Sequence, residues 1–183
     1  MKQKNYQNLT KNTLGKLPVW NLKDLYESPK AKNLNNDLNK LRIITKKFEK
    51  KYTSKIVKLH PNQLLKAIVE LEDIDTKMDK IMSYAHLLLA EDGNNEKNKI
   101  FYQQMHEQIT NIASSVVFFS LELNEISEVN FKKIYADKKL KTYKNWIKNI
   151  RKFKPYQLDL KTEKLLQEKS ITSRSAWVRL FDD

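Results

Sequence analysis

At 183 residues the chain is long enough for one hydrophobic core, and an apolar content of 40% with three tryptophans excludes wholesale disorder. It has no cysteine, which excludes disulfides, cysteine-ligated zinc fingers and thiol nucleophiles. The formal charge of +13 invites a polyanionic partner. However, only four of the 35 basic residues (Arg42, Arg151, Arg174 and Arg179) carry the bidentate fork that reads phosphate and guanine, so no specific nucleic-acid partner is expected.

Two glycines and four prolines are too few to turn a sandwich or a barrel, so long helices are the default. Residues 1–16 carry four lysines and no acid and lack the apolar core of a signal peptide; they are expected to form a disordered basic tail. The run LPVWNLKDLY at 17–26 concentrates apolar side chains, and Pro18 and Pro29 keep it from being one helix. It reads as a short extended arm leading into a turn, pinned by Trp20. Leu34, Leu38, Leu41, Ile44, Phe48 and Tyr52 recur at three and four, predicting a first helix near 31–52. Pro61 suits the first position of a second helix, because a proline there forfeits no hydrogen bond.

That second helix carries a stripe from Leu64 through Ile68, Leu71, Met78 and Ile81 to Leu89, and Asp92-Gly93-Asn94-Asn95 closes it, with Gly93 expected in a left-handed cap. A third long helix is predicted over 95–124, on Ile100, Phe101, Met105, Ile109, Ile112, Val116 and Phe119. The short connection makes the pair an antiparallel hairpin about 45 Å long. Shorter helices follow after Ser127, around Leu140–Ile150 and from a cap at Asp159, before SRSAWVRLFDD begins a last element. The expected fold is all-α, an elongated multi-helix bundle built on the hairpin, with residues 17–183 as one helical domain. The longest charge-free run, Gln108–Leu121, is too short and polar for a membrane span, so no membrane contact and a cytoplasmic address are expected.

The search for chemistry finds fragments of sites. His106-Glu107 opens like the zinc-protease pattern H-E-x-x-H, but the fifth residue is Thr110, and one histidine cannot hold the metal. His60 reads as a solvated or capping residue. His86 lies within reach of His106 across the hairpin, where a two-histidine site with Glu91 or Glu107 competes with a core or boundary histidine. The acids Glu70, Glu72, Asp73, Asp75, Asp79, Glu91 and Asp92 read as a solvated face interleaved with lysine. Glu122, set among Phe118, Phe119, Leu121 and Leu123, is the acid expected to be partly buried, in a salt bridge. No serine lies in a nucleophile elbow and no glycine in a phosphate loop. No catalytic, cofactor-binding or metal-ligating residue is therefore assigned.

Three stretches share one likeness. LPVWNLKDLY at 17–26 resembles the opening L-P-x-W-D-L-x-D-L-Y of oligoendopeptidase F, a bacterial zinc metallopeptidase family of the M3 type. YAHLLLAED at 84–92 and FFSLELN at 118–124 are similar to its N-terminal helices. The segment IRKFKPYQLDLKTEKLLQEKSITSRSAWVRLFDD, 150–183, resembles the close of its N-terminal domain. Asn21 stands where aspartate is usual, and Tyr156 where histidine usually follows proline.

The resemblance implies an all-helical lobe walling one side of a peptide channel. Zinc and its H-E-x-x-H helix are expected only in a catalytic domain that this chain lacks. The expectation is an N-terminal fragment, truncated or split, inert alone, with a separately encoded catalytic half as partner and oligopeptides as substrate only in that complex. The alternative is an independent helical protein- or peptide-binding module.

Overall fold

The computed structural model describes residues 20–182, so the basic tail and the first residues of the arm lie outside the described part. Eight α-helices joined by 3₁₀ turns make up that part, with no strand among the described residues. None of these helices is long and apolar enough to cross a membrane.

The arm enters through a 3₁₀ turn at Leu22–Asp24, started by the Asn21 side chain, which accepts from the Lys23 N–H at 3.2 Å. The expected pin, Trp20, is 55% exposed, and the anchor is Tyr26, exposed by only 1%. Trp20 lies before the turn, on its solvent side, whereas Tyr26 emerges after it onto the core. There its ring meets Tyr84 edge-on at 5.3 Å, and Lys80 Nζ lies 4.5 Å over its face. Its hydroxyl donates to Asp37 Oδ2 at 3.0 Å. Burial, and then that hydrogen bond, push the Tyr26 phenol well above its usual range, so it stays a neutral donor.

Helix α1 (Lys32–Tyr52) buries Leu34, Leu38, Leu41, Phe48 and Tyr52, as the spacing predicts. It stops in a tight turn where Lys55 N–H donates to Tyr52 O at 3.0 Å and Ser54 takes φ 63°. Glycine is the usual residue in that left-handed conformation. Helix α2 (Pro61–Glu91) starts on its proline, and the His60 N–H donates to Gln63 Oε1 at 3.1 Å. At 1.5 Å per residue its 31 residues span about 46 Å.

The hairpin turn forms without the expected left-handed glycine. Gly93 lies outside the left-handed region, and a Cβ there would meet only Leu89 O at 3.8 Å. The Asp92 side chain organises the turn instead, accepting from Asn94 N–H at 3.2 Å, while Asp92 O accepts from Asn95 N–H at 3.2 Å. An aspartate turn of this kind removes the need for a positive φ.

The return arm is broken. The helix predicted over 95–124 is α3 (Glu96–Ser114) followed by α4 (Phe118–Glu125). Between them Ser115 N–H donates to Ile112 O at 3.1 Å and Val116 N–H to Ala113 O at 3.0 Å, i to i−3 bonds that tighten the chain into a 3₁₀ turn. Ser114 Oγ donates back to Asn111 O and Ser120 Oγ to Val117 O, the side-chain competition that weakens a helix at serine. The break turns Phe118, Phe119, Leu121 and Leu123 into the core. Ile100, expected in the stripe, is 57% exposed.

Phe48 gathers Tyr52, Phe118 and Phe119 with ring centroids 4.9, 5.9 and 5.9 Å away. Four more helices complete the bundle: α5 (Glu128–Ala136), α6 (Lys144–Arg151), α7 (Leu160–Lys169) and α8 (Arg174–Asp182). Asp159 caps α7 by accepting from Lys161 and Thr162 N–H at 3.0 and 3.1 Å. Lys164 Nζ reaches Glu49 Oε1 at 3.0 Å, tying α7 to α1.

Candidate functional site

The polar groups that the fold brings together fall into two structural clamps, one acidic pocket and one open cleft. In the first clamp, Glu122 is half-buried on α4, as its apolar neighbours predict, but it makes no salt bridge among the described residues. Its carboxylate accepts from the backbone N–H of Ser54 at 2.5 Å and of Ile56 at 3.0 Å. A tight turn leaves its amides pointing outward, and one carboxylate satisfies two of them. Glu122 thus holds the strained Ser54 conformation in place.

The second clamp was not anticipated. Arg151, its side chain only 8% exposed, donates through Nη1 to the carbonyls of Leu123 at 3.1 Å and Ile126 at 3.0 Å, with Asn124 at 3.4 Å. It also pairs with Glu128 and lies 4.2 Å over the Phe131 ring. The last carbonyls of a helix have no partner within it, and α4 ends there. Beside it, Asn124 Nδ2 donates to Gln157 Oε1 at 2.8 Å, while Asn124 Oδ1 is buried without a partner.

The acids of α2 divide. Asp73 pairs with Lys77 one turn on, which is the expected lysine interleaving, whereas Glu70 pairs with Lys51 of α1 at 2.6 Å, between helices. Glu72 and Asp75 instead line a small cavity of about 230 Å³ with Ile68, Leu71, Thr142, Tyr143 and Trp146. Tyr143 donates to Glu72 Oε2 at 2.5 Å, which raises the pKa of its phenol. Burial, and secondarily the charges of Asp79 and Glu72, push Asp75 up to about 6.

The histidines separate from one another. His60 sits at the start of α2, and His86 is exposed, which corrects its reading as a core or boundary residue. Both His86 and His106 flank Tyr102: the His86 ring lies 6.1 Å from it, and the His106 ring stacks on it at 5.8 Å and 26°. Across the hairpin His86 therefore meets Tyr102, which lies one turn before His106 on α3. Glu107 accepts from Gln103 Nε2 at 2.8 Å. Among the described residues, no three or more His, Asp or Glu side chains group so as to hold a metal ion.

His86 and His106 line a cleft of about 990 Å³ between the α2–α3 hairpin and the α7–α8 corner. Outward from it runs an apolar surface. Leu165 and Leu166 of α7 are exposed, as are Trp177, Leu180 and Phe181 of α8, with Trp177 at 72% and Phe181 at 90%.

The described residues thus form an all-helical fold with exposed apolar side chains on α7 and α8. Comparison with known proteins shows what this fold is similar to. The family model described as Oligopeptidase F, for the N-terminal part of M3 peptidases, matches residues 122–183. Oligopeptidase PepF of Bacillus subtilis strain 168 is 26% identical over 157 residues, which is 83% of this chain and 22% of that protein. The chain therefore spans about a fifth of the length of this relative. No solved structure matches. Both likenesses support an N-terminal domain of the oligoendopeptidase F type.

Proposed function

We propose that this domain is the non-catalytic helical lobe of an oligoendopeptidase F-like zinc peptidase, inert alone, and one wall of a peptide channel when a catalytic half is bound to it. The apolar α7–α8 surface carries this reading: Trp177, Leu180 and Phe181 lie in the segment that matches the family, and they are exposed. Large apolar side chains exposed on two successive helices of an otherwise charged protein mark a docking face. The zinc and its general base belong, in this reading, to the catalytic half, and no step passes through a metal held here. The lobe's contribution is to exclude water and position the peptide.

The test mixes the purified chain with a separately expressed catalytic half carrying H-E-x-x-H and follows cleavage of an internally quenched peptide. Association with a gain in cleavage over the catalytic half alone is expected. Replacing Trp177 and Phe181 by serine should abolish both. Absence of association sinks the lobe reading, and peptide binding by the chain without any such association points to an independent binding module.

A further inference from the structure

The cleft beneath α8 has a composition of its own. Arg174 opens α8 at its mouth, and its guanidinium has no carboxylate or hydrogen-bond partner among the described residues. Other groups in the cleft have partners. Lys99 pairs with Glu96 at 3.8 Å, and Glu107 is tied to Gln103. The half-buried Ser175 lines the cleft in the first turn of α8, where the helix presents its positive end. The opposite wall is the aromatic row His86–Tyr102–His106. At about 990 Å³ the cleft is at the upper end of the size range for small-ligand sites.

We propose that this cleft binds a carboxylate carried on an apolar or aromatic group. Arg174 supplies the counter-charge, Ser175 a hydroxyl donor, and the His86–Tyr102–His106 row the surface on which the group lies. A planar guanidinium with no protein partner matches a carboxylate in charge and in its two-pronged geometry. The aromatic row suits an apolar body beside that charge. The carrier is an oligopeptide with a free C-terminus, and the choice of a peptide rests on the proposed function above. A glutamate side chain presented by a partner offers the same chemistry.

The chain provides its own reporters, since its three histidines are His60, His86 and His106. His60 lies 26 residues before His86, about 39 Å away along the axis of α2. Histidine side-chain NMR shifts of the intact chain would be followed during titration with the blocked tetrapeptide acetyl-Ala-Ala-Leu-Phe as its free acid. The same peptide as its C-terminal amide, and an amide carrying an internal glutamate, form the other arms. The free acid is expected to shift His86 and His106 saturably while His60 stays still, and the plain amide to bind at least tenfold more weakly. Arg174→Gln should weaken the free acid at least tenfold and leave the amide unchanged, with Arg174→Lys between them.

Equal binding of acid and amide, no movement of His86 and His106, or a Gln variant that binds like the wild type would overturn the proposal. Tighter binding of the glutamate amide than of the free acid assigns the carboxylate to a partner's side chain and overturns the C-terminal carrier. None of these readouts uses a catalytic half, so their failure is distinct from failure of the lobe reading.

Discussion

Replacing Arg151 by methionine is expected to destabilise the domain by about 3–4 kcal/mol, more than most single substitutions cost. Methionine keeps much of the volume and loses every donor. Leu123 and Ile126 are fully buried, so water cannot reach the carbonyls that Arg151 now satisfies. A buried acceptor left unpaired costs about 1–3 kcal/mol, and the two short bonds dominate that sum. The Asn124 contact at 3.4 Å adds little. The Glu128 carboxylate is 72% exposed, so that ion pair contributes at most about 1 kcal/mol.

Against a total of roughly 5–15 kcal/mol for a domain, the loss is large enough to show directly. Urea unfolding followed by far-UV circular dichroism measures it, with a lowered midpoint at unchanged slope. Arg151→Lys should fall about halfway, because one ammonium nitrogen must then serve both the carbonyls, which Nη1 holds, and Glu128, which Nη2 holds. A Met variant within about 1 kcal/mol of the wild type, or a Lys variant indistinguishable from it, would refute the idea that Arg151 caps α4.

Glu122→Gln keeps one acceptor oxygen but turns an amide NH₂ toward a backbone N–H. A loss of about 1.5–3 kcal/mol is expected in the same unfolding assay, and an unchanged midpoint would show that the turn holds itself. Asp75 is ionised with difficulty in the folded state, its pKa lying near 6 against 3.8 for the free group. Between those values the folded protein binds the extra proton, so the wild type loses stability as pH rises from about 4 to about 6 and regains none above. Asp75→Asn removes that dependence. After discounting for the group's partial exposure, the variant should be about 1 kcal/mol more stable at pH 7.5 and equal near pH 4; a constant difference across the range would contradict this. Gly93→Ala should be neutral or stabilising by up to about 1 kcal/mol in thermal melts, because no positive φ is needed there. Ser54→Gly should also stabilise, by relieving a left-handed serine, and a drop in melting temperature for either variant would count against the turn geometry described.

Helices announced by periodicity and a capping residue were legible: α1 from its apolar spacing, α2 from Pro61, α5 from Ser127 and α7 from Asp159. The 115–117 break was not, because the apolar period runs across it and neither serine nor valine forbids a helix by itself. Trp20 alone reads as the anchor in the sequence; that Tyr26 is the buried one depends on the direction the chain takes after its turn. The clamps were hidden for a different reason. Arg151 and Glu122 bind backbone groups 25–28 and 66–68 residues away, and backbone carbonyls and amides leave no mark in residue identity. The cleft was half visible. The sequence pairs His86 with His106 only as one alternative across the hairpin, and the place of Tyr102 beside each and the arrival of Arg174 from α8 required the tertiary fold.

The exposed face of α8 also bears on how the chain behaves in solution. Two copies that meet through Trp177 and Phe181 must also bring together two bodies of formal charge +13. Like charge of that size holds sticky surfaces apart at low ionic strength, where the screening length is near 30 Å at 0.01 M. At 0.15 M it shrinks to about 8 Å and the repulsion no longer reaches across the gap between approaching molecules. The lysines therefore act as a salt-sensitive guard over the apolar helix, and light scattering should rise with added salt unless a partner already covers that face.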